Sequence, residues 1–99
     1  MTELKKITEI KENENVKIEG IAMEVFEAQD LVKKSGERIG MQEILVVDDT
    51  GESIILKLWG KDINTIKLND KIRAECFVGK FKDNLYLSKG KYGKIEKIK

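Results

Sequence analysis

The sequence predicts an all-β fold in which five short strands close into a small barrel. Three observations favour this class. Apolar and polar residues alternate in several short segments, Gly, Asn and Asp turn signals separate those segments, and few residues follow a helical period. Because 99 residues suffice for one domain with a modest core, we expect residues 1–99 to form a single domain.

A short amphipathic helix or turn is expected before the first strand, because Leu4, Ile7 and Ile10 recur at helical spacing. Residues 16–28 then alternate like a strand, but the apolar face changes at Gly20. The change predicts a bulge or bend that lets one strand serve two packed sheets; alternatively, one strand ends at Gly20 and another begins. The apolar residues are Val16 and Ile18 before the glycine and Ile21, Met23 and Val25 after it.

The second and third strands are joined by a turn. Residues 33–38 are polar and predict a loop, whereas residues 41–47 are apolar at almost every position and predict a strand in the barrel wall. Asp48-Asp49-Thr50-Gly51 is a strong turn signal, because Asp tolerates turn geometry and Gly supplies a positive φ. Two adjacent carboxylates raise the question of a metal site, but no third hard ligand is adjacent, so we expect no metal.

The third strand carries the most informative residue of the chain. Its alternation places Ile54, Leu56 and Leu58 on one face and Ile55, Lys57 and Trp59 on the other. The only tryptophan therefore projects away from the apolar set, which core packing explains poorly. An outward indole beside a cation suits a surface on which single-stranded nucleic acid stacks.

A barrel plug and a fourth strand follow. Residues 61–68 contain spaced isoleucines and predict a short helix or loop that closes one end of the barrel. Residues 72–78 alternate, with Cys76 on the apolar side and Phe77 on the other. Cys76 is therefore predicted to be a small core residue rather than a nucleophile.

The last part of the chain predicts a basic hairpin and a fifth strand. Residues 80–84 form the hairpin tip, with Phe81 between two lysines. Leu85 and Leu87 return to the core, which leaves Tyr86 facing outward. Residues 89–94 are basic and contain two glycines.

The order of these elements matches an OB-fold, a partly open five-stranded barrel. We therefore predict an all-β, five-stranded OB-fold barrel with a short N-terminal helix and a short helical element between strands 3 and 4. OB-folds bind oligonucleotides or oligosaccharides through strands 2 and 3 and through the loops between strands 1 and 2 and strands 4 and 5. The candidate nucleic-acid-binding residues are Trp59, Phe77, Phe81, Lys57, Lys33, Lys34, Arg38, Arg73, Lys80, Lys82 and Tyr86.

Charge is unevenly distributed although the net charge is only +1. Residues 1–30 carry 4 Lys or Arg and 8 Asp or Glu, residues 31–70 carry 6 and 7, and residues 71–99 carry 9 and 3. A basic last third is able to attract phosphate while the molecule stays near neutral. The alternative is that these lysines are simply solvated.

Composition argues against several other classes. With no histidine, one cysteine and no Gly-rich phosphate loop, we expect neither catalysis nor a cofactor. A single cysteine excludes an internal disulfide and favours a cytoplasmic setting. No apolar run approaches the ~20 residues of a membrane span, and no secretory signal is evident, so we expect no membrane association.

Four segments in order give the chain a more specific resemblance. The first consists of residues 7–10 together with residues 16–20, and the second is the turn of residues 48–51. The third is residues 56–60 (Leu-Lys-Leu-Trp-Gly), and the fourth is residues 90–95 (Gly-Lys-Tyr-Gly-Lys-Ile). From about Ile7 to Ile98, the chain resembles an archaeal single-stranded DNA-binding protein or one OB domain of an archaeal replication protein A.

The resemblance implies sequence-tolerant binding of single-stranded DNA in replication, recombination and repair. In that family three aromatic side chains stack on successive bases, and by resemblance these are Trp59, Phe77 and Phe81. It also implies other OB domains or replication and repair proteins as partners.

The chain departs from the family pattern at two points. The spacing from Gly51 to Trp59 is one residue longer than usual, which predicts a bulge in that hairpin. The loop of residues 33–38 is short, which would reduce wrapping of a bound strand. In addition, no acidic tail of the kind that family members acting alone often carry follows residue 99, so we expect one domain of a longer multi-barrel protein.

Two other functions remain open at this level. An OB barrel within a replication or repair complex can act as a protein–protein interaction module, because outward aromatic and cationic residues equally suit an acidic amphipathic peptide. An RNA-binding barrel is the other possibility, since the same stacking and phosphate contacts serve RNA.

Overall fold

The structure is a computed structural model that describes residues 3–89 and 93–98. These residues form seven β-strands and two single turns of 3-10 helix. The strands are β1 (Asn15–Val25), β2 (Gln29–Val32), β3 (Arg38–Val47), β4 (Ser53–Trp59), β5 (Lys71–Phe81), β6 (Asn84–Ser88) and β7 (Lys94–Lys97). No helix in the described residues is long and apolar enough to cross a membrane.

Five strands close into a ring, which confirms the predicted OB-fold barrel. Going round the ring, the order is β1, β3, β4, β6 and β5, and β5 pairs with β1 to complete it. All neighbouring pairs are antiparallel except β4 and β6, which are parallel. β2 and β7 lie outside the ring, on β3 and β5 respectively.

The barrel interior is filled by alternate side chains of the ring strands, as the period of two requires. Cys76 is one of them, so its predicted core role is confirmed. Burial raises the pKa of its thiol to about 12, and the group therefore stays protonated at neutral pH. The buried apolar residues of the ring are Val16, Ile18, Ala22, Ile44, Val46, Ile54, Leu56, Leu58, Ile72, Ala74, Cys76, Val78 and Leu87.

Short 3-10 turns stand where the sequence predicted helical elements. The N-terminal turn spans Ile7–Glu9, and Ile7 and Ile10 are buried whereas Leu4 is exposed and forms a bridge with Lys17. The second turn spans Gly60–Asp62, and Ile66 beyond it is buried. Isoleucines at or beyond both turns thus pack into the core, and a single 3-10 turn at each place is enough to position them.

The predicted change of face at Gly20 is wrong. β1 is continuous from Asn15 to Val25, and its buried phase continues through Gly20 to Ala22. What changes at this point is the partner, because Ile21 pairs with Lys71 of β5 as well as with Val47 of β3. The irregularity in pairing comes later, between Ala22 and Glu24. Consequently Ile21 and Met23, predicted to mark a buried face, are 41% and 49% exposed.

Gly20 is needed for a close approach between strands. A Cβ at this position would lie 2.6 Å from Val46 Cγ1 and 2.8 Å from the Val47 carbonyl oxygen. Real Cβ atoms do not come this close to backbone oxygen, so the strand is able to fold over β3 only because residue 20 has no side chain.

The segment between β1 and β3 is a hairpin arm rather than a plain loop. Residues Gln29–Val32 pair with Arg38–Met41, so strand β2 was missed and the predicted first strand ends at Val25 rather than residue 28. Gln42, which is buried, ties the base of this arm to the barrel. Its Nε2 donates to the Phe26 carbonyl oxygen at 2.9 Å, and its Oε1 accepts from the Asn64 backbone N–H at 2.8 Å.

The turn between β3 and β4 is organised by Asp48, as the turn signal predicted. Its carboxylate accepts hydrogen bonds from the Ile7 amide at 2.7 Å, the Thr50 amide at 2.9 Å and the Thr50 hydroxyl. Burial alone would raise the pKa of Asp48, but these hydrogen bonds outweigh it and hold the pKa below its usual value. Within residues 3–89 and 93–98, no three His, Cys, Asp or Glu side chains are grouped so as to hold a metal ion.

We expect Gly20→Ala to destabilise the barrel by about 1–3 kcal/mol, because the added methyl group has no space between β1 and β3. Urea denaturation followed by circular dichroism measures the change. Glu24→Ala, an exposed position on the same strand, should leave the midpoint near that of the parent protein. An unchanged midpoint for Gly20→Ala would contradict the close approach.

We expect Asp48→Asn to lower stability by about 1.5–3 kcal/mol at neutral pH, since an amide cannot accept all of these bonds. The folded pKa lies below the unfolded one, so the stabilisation is present above about pH 5 and is lost as the pH falls through the folded pKa. The variant's stability should therefore vary less with pH on the acid side. Asp49→Asn, which is exposed, is the control, and equal pH profiles for both variants would contradict this role.

Candidate nucleic-acid interface

The outward residues of β3, β4, β6 and β5 are aligned in rows by the strand register. The rows, read from β3 to β5, are Glu43–Lys57–Ser88–Phe77 and Leu45–Ile55–Tyr86–Gly79. Trp59 lies next to the first row at the end of β4, and Phe81 lies beyond the second row at the end of β5. These two rows, with Trp59 and Phe81, are called the outer face. Because Leu56, Leu58 and Val78 are buried, the outer face is the side of these strands that the core does not use.

Trp59 is half-buried and is held in place by a neighbour from another strand. Its Nε1 donates a hydrogen bond to Ser88 Oγ on β6 at 3.1 Å. The predicted bulge before the indole is not present, because β3 and β4 pair regularly from Val47–Ser53 to Met41–Trp59. The indole therefore projects outward, as the alternation of β4 predicted, and its N–H edge is held by Ser88.

Tyr86 forms a compact stack with residues of the two flanking strands. Lys57 Nζ lies 4.2 Å from the centroid of the Tyr86 ring, which is within cation–π range. Gly79 lies close against the same ring, since a Cβ there would come within 2.5 Å of Tyr86 Cζ. The half-buried Tyr86 ring thus packs against Gly79 and positions the Lys57 ammonium group.

Phe77 and Phe81 are the exposed aromatic residues of β5. Phe77 is 40% exposed in the row with Ser88, and Phe81 is 65% exposed at the hairpin tip. The tip is a two-residue turn, in which Lys82 has a positive φ of 57° and its Nζ lies 5.7 Å from the Phe81 ring centroid. Lys80 is also exposed, so the predicted basic tip with an outward aromatic is as the sequence indicated.

A shallow depression of about 120 Å³ joins the hairpin tip to the outer face of β3 and β4. Its lining residues are Glu43, Ile55, Lys57, Phe81, Asn84, Leu85 and Tyr86. Sequence reasoning missed Glu43 and Asn84. The position of Glu43 could have been predicted from the sequence, because counting residues back from the turn at 48–51 places it opposite Lys57 in the hairpin.

The cations of the arm lie beyond the other end of the outer face. Lys33, Lys34 and Arg38 are all exposed, and Lys33 Nζ is 3.9 Å from a Glu37 carboxylate oxygen. Met41 of β3 pairs with Trp59, and the part of β3 before Met41 belongs to the arm. The three cations of the arm therefore lie beyond the end of the outer face that carries the Trp59 indole. The outer face therefore has basic residues beyond both ends.

Arg73 does not join this group. It lies four positions before Phe77 on β5, but its Nη2 and Nε are each 2.7 Å from a Glu19 carboxylate oxygen on β1. The guanidinium is thereby held on the β1–β5 wall of the barrel. Residues 90–92 of the basic exit segment lie outside the described residues; Lys89 before them is paired with Asp62 at 3.1 Å.

The fold agrees with the comparison against known protein families. Residues 4–80 match the model of the replication protein A OB domain. The chain belongs to this family. The match runs from the segment before the first 3-10 turn almost to the end of β5. Comparison with curated proteins found no match.

Solved structures of the replication protein A family share the fold. The second OB-fold domain of replication protein A from Methanococcus maripaludis is 23% identical, with a TM-score of 0.82 over 97% of this chain and 95% of that chain. A replication factor A related protein from Methanobacterium thermoautotrophicum is 15% identical, with a TM-score of 0.79 over 97% and 91%. A chain of a replication protein A heterotrimer bound to single-stranded DNA is 21% identical, with a TM-score of 0.83 over 98% of this chain and 25% of that one.

We expect Ser88→Ala to release the Trp59 indole, because the hydroxyl is its hydrogen-bond acceptor. The indole N–H resonance should shift and its order parameter should fall, with a loss of stability of about 0.5–1.5 kcal/mol. Ser53→Ala, an exposed position on β4, is the matched control. An indole resonance that does not move in Ser88→Ala would contradict the restraint.

Proposed function

We propose that this replication protein A OB domain binds single-stranded DNA in DNA replication, recombination and repair, with little dependence on sequence. The observation that carries the proposal is the collection of Trp59, Phe77 and Phe81 on one outer face, away from the core. These residues lie on or next to the elements with which OB-folds bind oligonucleotides. The DNA-bound replication protein A heterotrimer contains the same fold, which is consistent with the proposal.

The proposed mechanism combines base stacking with phosphate contacts. Bases stack on Trp59, Phe77 and Phe81, and each contact contributes roughly 1–3 kcal/mol. Every base has a π-face, so stacking alone discriminates little between sequences. With three such platforms, a site of about 4–5 nucleotides follows.

Cations beyond both ends of the outer face neutralise phosphates in this mechanism. Lys80 and Lys82 act at the hairpin tip, and the arm contributes the cations at the indole end. Lys57 acts from the centre, held by the Tyr86 ring. Binding then releases condensed counterions, so affinity falls as salt rises. Arg73 contributes least among the candidate cations, because its guanidinium has to break its ion pair with Glu19 before it can contact a phosphate.

Tandem barrels would strengthen a weak single site. One domain with a short site binds modestly, whereas linked OB domains gain through the effective concentration that the linker provides. Other OB domains or replication and repair proteins are therefore the proposed partners.

A protein–protein interaction module is the second candidate function. It is supported by a groove of about 300 Å³ on the β1 side of the barrel. Leu4, Ile21 and Met23 line this groove and are each exposed by 41% or more. Exposed apolar side chains beside charged ones are typical of interaction sites.

A titration of Trp59 fluorescence tests the main proposal. We expect single-stranded oligothymidine to quench the indole, duplex DNA to have a much weaker effect, and the affinity to fall when salt is raised. Competition with an RNA strand of the same length separates DNA from RNA binding. No response at low salt would overturn the proposal in favour of the protein-binding alternative.

Alanine variants test the stacking platforms individually. Trp59→Ala, Phe77→Ala and Phe81→Ala should each weaken binding of a fluorescently labelled oligothymidine by about 1–3 kcal/mol, as measured by anisotropy. Met23→Ala removes an exposed apolar side chain from the groove instead and should leave the affinity unchanged. Equal effects of all four substitutions would contradict stacking on the outer face.

A further inference from the structure

Glu43 is an acidic residue on a face otherwise suited to phosphate. It lies directly opposite Lys57 in the pairing of β3 with β4, and both side chains line the 120 Å³ depression. Among the described residues, Glu43 takes part in none of the ion pairs. Its cross-strand partner is engaged elsewhere, because Lys57 Nζ lies over the Tyr86 ring at 4.2 Å.

An unpaired carboxylate here opposes the binding of a polyanion. Ionised Glu only accepts hydrogen bonds, so it repels phosphate oxygens and attracts N–H donors. The donors that single-stranded nucleic acid brings to a protein surface are the amino and imino groups of its bases. Glu43 is therefore placed to contact the edge of a base and not the backbone.

The depression has the lining for the edge of one base. A closed cavity of about 150 Å³ holds benzene, so this depression of about 120 Å³, which is open to solvent, takes in only part of a base ring and leaves the rest outside. Phe81, which is 65% exposed, supplies a ring on which the base can stack. Asn84 lines the same depression and carries an amide that both donates and accepts.

The four bases differ in what they offer to a carboxylate. Guanine presents two adjacent donors, N1–H and N2–H, which match the two oxygens of a carboxylate. Cytosine and adenine each present one amino group beside a ring acceptor. Thymine presents one N–H flanked by two carbonyl oxygens, which the carboxylate repels.

We propose that the depression is a base-selecting subsite that prefers guanine. Glu43 accepts from guanine N1–H and N2–H, the Asn84 amide donates to O6, and Phe81 stacks on the ring. The subsite rests on the proposed binding of single-stranded DNA to the outer face. Because it reads one base in a site of about 4–5 nucleotides, overall sequence preference stays modest.

Short strands that differ in one base test the subsite. The parent strand is a labelled oligothymidine, and the others carry a single central dG, dC or dA. The domain is free to bind in any register on the strand, so it can place the single dG in the depression. The dG strand should therefore bind about five- to tenfold more tightly than the parent strand. This ratio is at the low end of the discrimination that a bidentate contact gives, because the depression is open to solvent. Strands with dC or dA should lie between the two.

Glu43→Gln provides the decisive comparison. The substitution removes one negative charge and should raise affinity for the parent strand, whereas the dG strand also loses its contact with the carboxylate, so the ratio of dG to parent strand falls to within about twofold. Glu52→Gln makes the same charge change at an exposed position in the β3–β4 turn, and its ratio should equal that of the unmodified protein.

Three results would overturn the subsite while single-stranded DNA binding stands. They are equal affinities of the unmodified protein for the dG and parent strands, an unaltered ratio in Glu43→Gln, and an equal loss of the ratio in Glu52→Gln. No binding to any strand would overturn the subsite and the proposed function together.

Discussion

Closure of the barrel through β1 is the constraint on which the outer face depends. β1 pairs with β5 over residues 15–21 and with β3 over residues 21–25, so one strand joins the two edges of the sheet. This double pairing presses Gly20 against the backbone of β3, where no side chain fits. Once the sheet is closed, one set of alternate side chains fills the interior. The other set, which includes Lys57, Trp59 and Phe77, then has to face outward.

Local alternation was enough to predict much of this arrangement. Over residues 54–59 and 72–78 it identified both strands and their inward and outward side chains, because a period of two is a property of the strand itself. The same reasoning failed at Ile21 and Met23, which are apolar but exposed, since the phase of β1 is set by its partners. β2 escaped notice because all four of its residues are exposed, and its order comes from pairing with β3.

The neighbours of the candidate residues were harder to predict than the residues themselves. Ser88 meets Trp59 only because β6 runs parallel to β4, and no local pattern announces a pairing between segments 29 residues apart. Arg73 shows the converse. Its outward direction follows from alternation, but the carboxylate that holds it comes from Glu19 on β1. The charge and the alternation of a segment thus predict which residues face outward. Pairing between strands that are distant in sequence determines which of these residues lie on the same surface.

The parallel contact between β4 and β6 also has a consequence for folding. β3 and β4 form one hairpin, and β5 and β6 form another, and each is built from residues close in sequence. The contact between β4 and β6 joins these hairpins and closes a much longer loop, so we expect it to form late. The hydrogen bond from Trp59 to Ser88 crosses this junction. Indole emission during refolding should therefore follow the docking of the two hairpins, separately from the formation of either one.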